Sequence, residues 1–264
     1  MSLSARIRGV GLVGPGLAGW ALAREALAGR APYVTGPTVL PAPEALPATE
    51  RRRAGKCVKL ALATGLEAAA AAGLDPASLA TVFASSSGDG ENCHAICETL
   101  ASDDRMISPT RFHNSVHNAP AGYWSIATGA TASADCIAAF DASFGAGLLE
   151  ALARLAAEPR DPVMLLAYDA PYPEPLHGAR PIPDAFGVAL ALGAADARSG
   201  GPLLRVDLAA MKPTRMELPA LEALRAGIPA ARALPLLALL ASGRGGTVAI
   251  AYLDDLALRI EASA

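Results

Sequence analysis

The hydrophobic pattern divides the 264-residue chain into short apolar runs separated by stretches of helical period. Residues 7–13 read as a strand, closed by a Gly/Pro turn and followed by a helix over 17–28. Pro32, Pro37, Pro41, Pro43 and Pro47 then mark an irregular surface segment, because proline lacks an amide donor and fixes φ. A long helix is predicted over 49–72, basic at its start and Ala-rich later, ended by Asp75-Pro76. Further strands are expected over 80–85, 132–139, 163–167, 187–192, 203–208, 247–252 and 257–261. Helices are expected over 91–101, 120–128, 218–225 and 233–240. Another opens at Asp141 and carries Phe144, Leu148, Leu149, Leu152 and Leu155 on one apolar face. The alternation predicts an α/β class with a mostly parallel central sheet between helices. No repeat or linker splits residues 1–264, which read as one domain.

Composition narrows the function classes. Hydrophobic residues make up 52% and charged residues 18%, enough to bury a substantial core and too apolar for a disordered chain. A net charge of −3 argues against a nucleic-acid partner. Cys57, Cys93, Cys97 and Cys136 are too sparse for a disulfide framework, so a reduced cytoplasmic setting is expected. Arg6 and Arg8 precede an uncharged run, but its five glycines and Pro15 break the helix that a secretory signal forms. No run reaches the roughly 18 apolar residues of a membrane span, so no membrane insertion is expected.

Several local motifs have plainer explanations. Overlapping G-x-G-x-x-G patterns fall at Gly9/Gly11/Gly14 and Gly14/Gly16/Gly19, yet Pro15 removes an amide and the later ribose-binding acid is missing. A tight turn is the better reading, and no cofactor is expected. Cys93, Cys97, His113 and His117 nearly fit a zinc spacing, but the two cysteines sit on a helix rather than at a knuckle, so no metal is expected. Arg51, Arg52 and Arg53, with Lys56 and Lys59, read as a solvated helix face, the alternative being a landing patch for an acidic carrier protein. No Gly-x-Ser-x-Gly elbow occurs.

Residues 108–151 carry the strongest signal: SPTRFHNSVHNAPAGYWSIATGATASADCIAAFDASFGAGLLEA. Ser108-Pro109, then Asn118, Ala121, Gly122, Ser125, Ile126 and Gly129, and finally Ile137-Ala138, resemble the nucleophile region of β-ketoacyl synthases in the thiolase-like superfamily. The likeness extends over about residues 7–192, with 193–264 as a reduced C-terminal region. In that register Asp141 occupies the position of the nucleophilic cysteine. A helix N-terminus stabilises a carboxylate as it does a thiolate, but the carboxylate is expected to act as an N-cap and is a poor acyl acceptor. Cys136 lies five residues upstream, and the last histidine is His177, so the family's later histidine pair has no counterpart.

The resemblance therefore implies a non-catalytic subunit, similar to the short chain-length-factor-like proteins of bacterial aryl polyene clusters. Its expected partners are a ketosynthase, as a heterodimer paired through the 133–139 strand region, and an acyl carrier protein. Phe112, His113, Val116 and His117 are the candidates for lining the partner's acyl tunnel. Two alternatives remain: a weak decarboxylase or acyl hydrolase using Asp141 or Cys136, and a homodimeric acyl-binding scaffold.

Overall fold

The computed structural model describes residues 2–159, 162–196 and 200–263. Its centre is a nine-stranded sheet built from β1 (Leu3–Gly14), β2 (Leu17–Ala18), β3 (Ala80–Ala84), β4 (Ala134–Ile137), β5 (Val163–Asp169), β6 (Phe186–Gly193), β7 (Leu203–Ala209), β8 (Gly246–Leu253) and β9 (Leu256–Ala262). The strand order is β4-β3-β5-β6-β1-β7-β9-β8, with β2 folded back on β1. The strands from residue 203 onward thus join the same sheet as the N-terminal ones.

Among the described residues only β3/β4 and β3/β5 pair in parallel; β5/β6, β6/β1, β1/β7, β7/β9 and β9/β8 are antiparallel. The expectation of a mostly parallel sheet therefore fails. Parallel neighbours need a long crossover. The chain has one between β3 and β4, through α4 (Gly90–Ala101), α5 (Pro109–Asn114) and α6 (Ala119–Thr128), and one between β4 and β5, through α7 (Ser143–Ala157). Between β5 and β6 only the four-residue α8 (Leu176–Ala179) intervenes, and β8 turns directly into β9, so both pairs run antiparallel.

Each side of the sheet is covered. All seven residues of β5 are buried, and they alternate between two cores. Leu165 and Ala167 meet Phe144, Leu148, Leu152 and Leu155, which lie on the apolar face expected of α7. Met164, Leu166 and Tyr168 meet Leu60 and Leu62 of α3 (Lys56–Ala72) and Trp124 of α6.

The predicted helix over 49–72 is two helices, α2 (Ala48–Arg53) and α3, with extended backbone at Ala54 and Gly55. A Cβ at Gly55 would stand 2.1 Å from Asp89 Oδ2, so a larger residue there would displace the Asp89 side chain. The predicted helix over 17–28 likewise divides into β2 and α1 (Trp20–Leu27) at Gly19, whose φ is 84°. The C-terminal region adds α9 (Pro219–Gly227) and α10 (Leu234–Ser242). Among the described residues no helix is long and apolar enough to cross a membrane.

Candidate functional site

The region expected to present a nucleophile is a sharp bend between the end of β4 and the start of α7. The chain leaves β4 at Ile137 and enters a 3-10 turn over Phe140–Ala142 before α7 begins. Phe140 stands at the tip with φ of 50°, the only non-glycine at positive φ among the described residues. An aromatic residue pays roughly 1–2 kcal/mol for this conformation, so the bend must be held by its surroundings. Ser143, fully buried, does so: its hydroxyl donates to Phe140 O at 2.7 Å and accepts from Ala139 N–H at 3.0 Å.

Asp141 follows the tip, and its role differs from the expected N-cap. The cap position of α7 is Ala142, with no side-chain hydrogen bond. The Asp141 carboxylate instead accepts from Arg180 Nη2 at 2.7 Å and from Arg232 Nη2 at 3.1 Å. Two guanidiniums outcompete the end of a helix dipole, since a charge-assisted bond is stronger than a contact to a partial charge. The Arg180 guanidinium carbon also stands over the tip residue, 3.6 Å from the centre of the Phe140 ring. The bend is thus stapled to α8's flank by Arg180 and to the 3-10 turn Pro229–Ala233 by Arg232. Neither arginine had been singled out by sequence, being 39 and 91 residues away from Asp141.

Beside the bend is a cavity of about 480 Å³ lined by Ala139, Phe140, Asp141, Arg232, Tyr252 and Asp254 among others, with no thiol or imidazole in its lining. Cys136 lies within β4, paired with Phe83, and burial assisted by Asp135 pushes its thiol up to about 11. It therefore holds its proton at neutral pH. His177 sits on α8 and does not line the cavity.

The four tunnel candidates occupy a different part of the molecule. Phe112 on α5 is 64% exposed and Val116 46% exposed. His113 packs edge-on against Tyr123, with ring centres 6.1 Å apart, and His117 Nε2 lies 3.2 Å from Ser85 O at the end of β3. None of the four lines the cavity at Asp141. α5 itself escaped the hydrophobic pattern, although Ser108 at its cap and Pro109 in its first turn are the usual start signal.

The remaining motifs resolve into packing. Gly14, Gly16 and Gly19 shape the β1–β2 hairpin and the entry to α1. The amides that a dinucleotide phosphate would need are engaged by Glu67, which accepts from Leu12 N–H at 2.9 Å and Trp20 N–H at 2.6 Å. Cys93 Sγ is 3.6 Å from Ser115 O, and among the described residues no three metal-ligating groups converge. In the basic run Arg51 pairs with Glu44, Arg53 with Glu50 and Lys56 with Glu91.

A mixed sheet between helix layers, with a strand-to-helix elbow at its edge, defines a thiolase-like architecture. The chain belongs to the family described as beta-ketoacyl synthase, N-terminal domain, whose model matches residues 26–243. No curated protein matches it. Among solved structures it is similar to a chain of a ketosynthase (ApeO) in complex with its chain length factor (ApeC) from Xenorhabdus doucetiae, at 23% identity and a TM-score of 0.74, covering 98% of this chain and 99% of that one. It is also similar to the ishigamide ketosynthase/chain length factor, at 16% identity and a TM-score of 0.70, covering 98% and 99%. A third likeness is to a type II polyketide synthase structure, an acyl-carrier protein in complex with its ketosynthase bound to the hexaketide. There the identity is 10% and the TM-score 0.75, with both chains covered completely. At these identities the likeness is one of fold.

Proposed function

We propose that this protein is a non-catalytic, chain-length-factor-like partner of a β-ketoacyl synthase in type II, carrier-bound acyl elongation of the fatty acid or aryl polyene kind, working in the cytoplasm. The observation that carries this reading is the elbow: its strained tip is Phe140, its next residue Asp141 is tied to two arginines, and no thiol or imidazole lines the adjoining cavity. Such a bend presents a carboxylate tied to two arginines, a poor acyl acceptor, where a catalytic elbow would present a thiol.

Two further features support association. Among the described residues β4 is the last strand of the sheet and pairs with β3 alone, which leaves its outer edge open to pairing with another chain. Phe112 and Val116 put apolar side chains into solvent, where a partner would cover them and where they would border its acyl tunnel with His113 and His117. An acyl carrier protein would deliver the growing chain to the assembled pair.

Co-expression with a ketosynthase from the same genome tests the reading. A stable complex in size-exclusion chromatography that elongates carrier-bound acyl chains is the expected result, with elongation retained by Asp141→Ala. Failure of the two chains to associate would sink it. Turnover of malonyl- or acyl-carrier thioesters by the isolated chain, abolished in Asp141→Ala, would replace it with an enzyme.

A further inference from the structure

A second cavity, of about 490 Å³, adjoins the elbow and shares Arg232 and Ala251 with it. It is lined by Lys212, Pro213, Arg215, Arg225, Ala226, Arg232 and Ala251, so its charged lining is wholly cationic. The four cations come from three separate segments: the link after β7, the end of α9, and the Pro229–Ala233 turn. On a chain whose net charge is −3, this is a concentration of positive charge that a randomly solvated surface does not require.

Two of the four are held rigidly. Arg225 places Nε and Nη2 on Glu222 at 2.6 Å each, and Arg232 is fixed by Asp141, with side-chain exposures of only 13% and 20%. Arg215 reaches Glu222 only at 4.0 Å, and Lys212 has no ion-pair partner among the described residues. The four cations of the lining thus have two carboxylate partners, Glu222 and Asp141, and Asp141 is shared with Arg180. Burial lowers the proton affinity of Arg232, and repulsion from Arg225 and Arg180 adds to it against the pull of Asp141. Packing like charges around a cavity is unfavourable unless something anionic enters it. A planar guanidinium anchored through one edge keeps donors on its other edge, which suits tetrahedral oxyanions.

We propose that this cleft binds a phosphate group, held by Arg225 and Arg232 from within and by Lys212 and Arg215 at the mouth. The recognition chemistry is the same for a free phosphate and for one esterified to an organic group. The site is independent of whether the chain pairs with a ketosynthase.

Calorimetric titration of the isolated full chain with inorganic phosphate, pyrophosphate and coenzyme A, at an ionic strength fixed with sodium chloride, tests it. Saturable binding of at least one is expected, weakened about tenfold by the double variant Lys212→Gln/Arg215→Gln. Both positions are exposed, and an unchanged ligand-free melting temperature checks that the variant folds. Preference for coenzyme A assigns the site to a carried phosphate, and equal or better binding of the inorganic anions to a free one. Absence of saturable binding by all three, or binding that the double variant leaves unchanged, overturns the proposal.

Discussion

Asp169, at the end of β5, is a buried carboxylate that accepts hydrogen bonds from neutral donors. Its oxygens accept from Ser85 Oγ, Ser86 N–H and Oγ, and Ala230 N–H, so it ties the turn after β3 to the turn that carries Arg232. Burial outweighs these donors and raises it from 3.8 to about 6. Between those values the folded chain binds more protons than the unfolded one, so this group's contribution to stability increases as pH falls through 6 towards 4. The protein should accordingly gain about 2 kcal/mol relative to Asp169→Asn between pH 7 and pH 4.5, measured by urea unfolding of both. A constant gap would show that Asp169 does not titrate in this window. Asp141 is held by charge instead, paired with the mostly buried guanidiniums of Arg180 and Arg232. Asp141→Ala leaves Arg180 and Arg232 facing each other unpaired, and a loss of about 1–3 kcal/mol should appear in thermal unfolding. Equal stability of the variant would mean that the staple contributes nothing to holding the elbow.

At the scale of elements, the glycines of β1 record how closely α3 approaches the sheet. A Cβ at Gly11 would stand 1.9 Å from Thr64 O, and one at Gly9 2.2 Å from Ala68 O. Both contacts are with helix backbone, which no rotamer change can relieve. Gly11→Ala should therefore cost about 3 kcal/mol through displacement of α3. Gly122, in α6 with nothing within 4 Å of its missing Cβ, should behave in the other direction, with Ala there adding up to about 1 kcal/mol. Comparing the two variants by denaturant midpoint separates close approach from simple helix propensity. This contrast also explains what the sequence could reveal. The apolar face of α7 and the short apolar run of β5 are local signals, and they were legible. The reason for Gly9 and Gly11 was not, because it lies in the backbone of residues more than fifty positions away. The Glu67 carboxylate that closes the apparent phosphate loop, and the arginines that claim Asp141, are hidden for the same reason. The break at Gly55 was hidden by the Ala-rich run after it, whose propensity favours an unbroken helix over the contact with Asp89.

For the whole molecule the asymmetry of the sheet matters most. Its β8 end is backed by α10, while at the other end β4 is short, half-exposed and, among the described residues, without an outer neighbour. Phe112 and Val116 expose apolar surface on the crossover that joins β3 to β4, as do Met106, 81% exposed, and Leu100. In water this surface stabilises nothing, and a partner that covers it gains roughly 25 cal/mol for each Å² removed from solvent. Replacing Phe112 and Val116 with serine should leave the melting temperature of the isolated chain within about 2 °C, since exposed side chains contribute little to folding. The same double variant should bind a ketosynthase at least tenfold more weakly in a pull-down titrated to saturation. A folded variant with undiminished affinity would move the interface elsewhere on the sheet, whereas lost folding together with lost affinity would assign these residues to the core of the single chain.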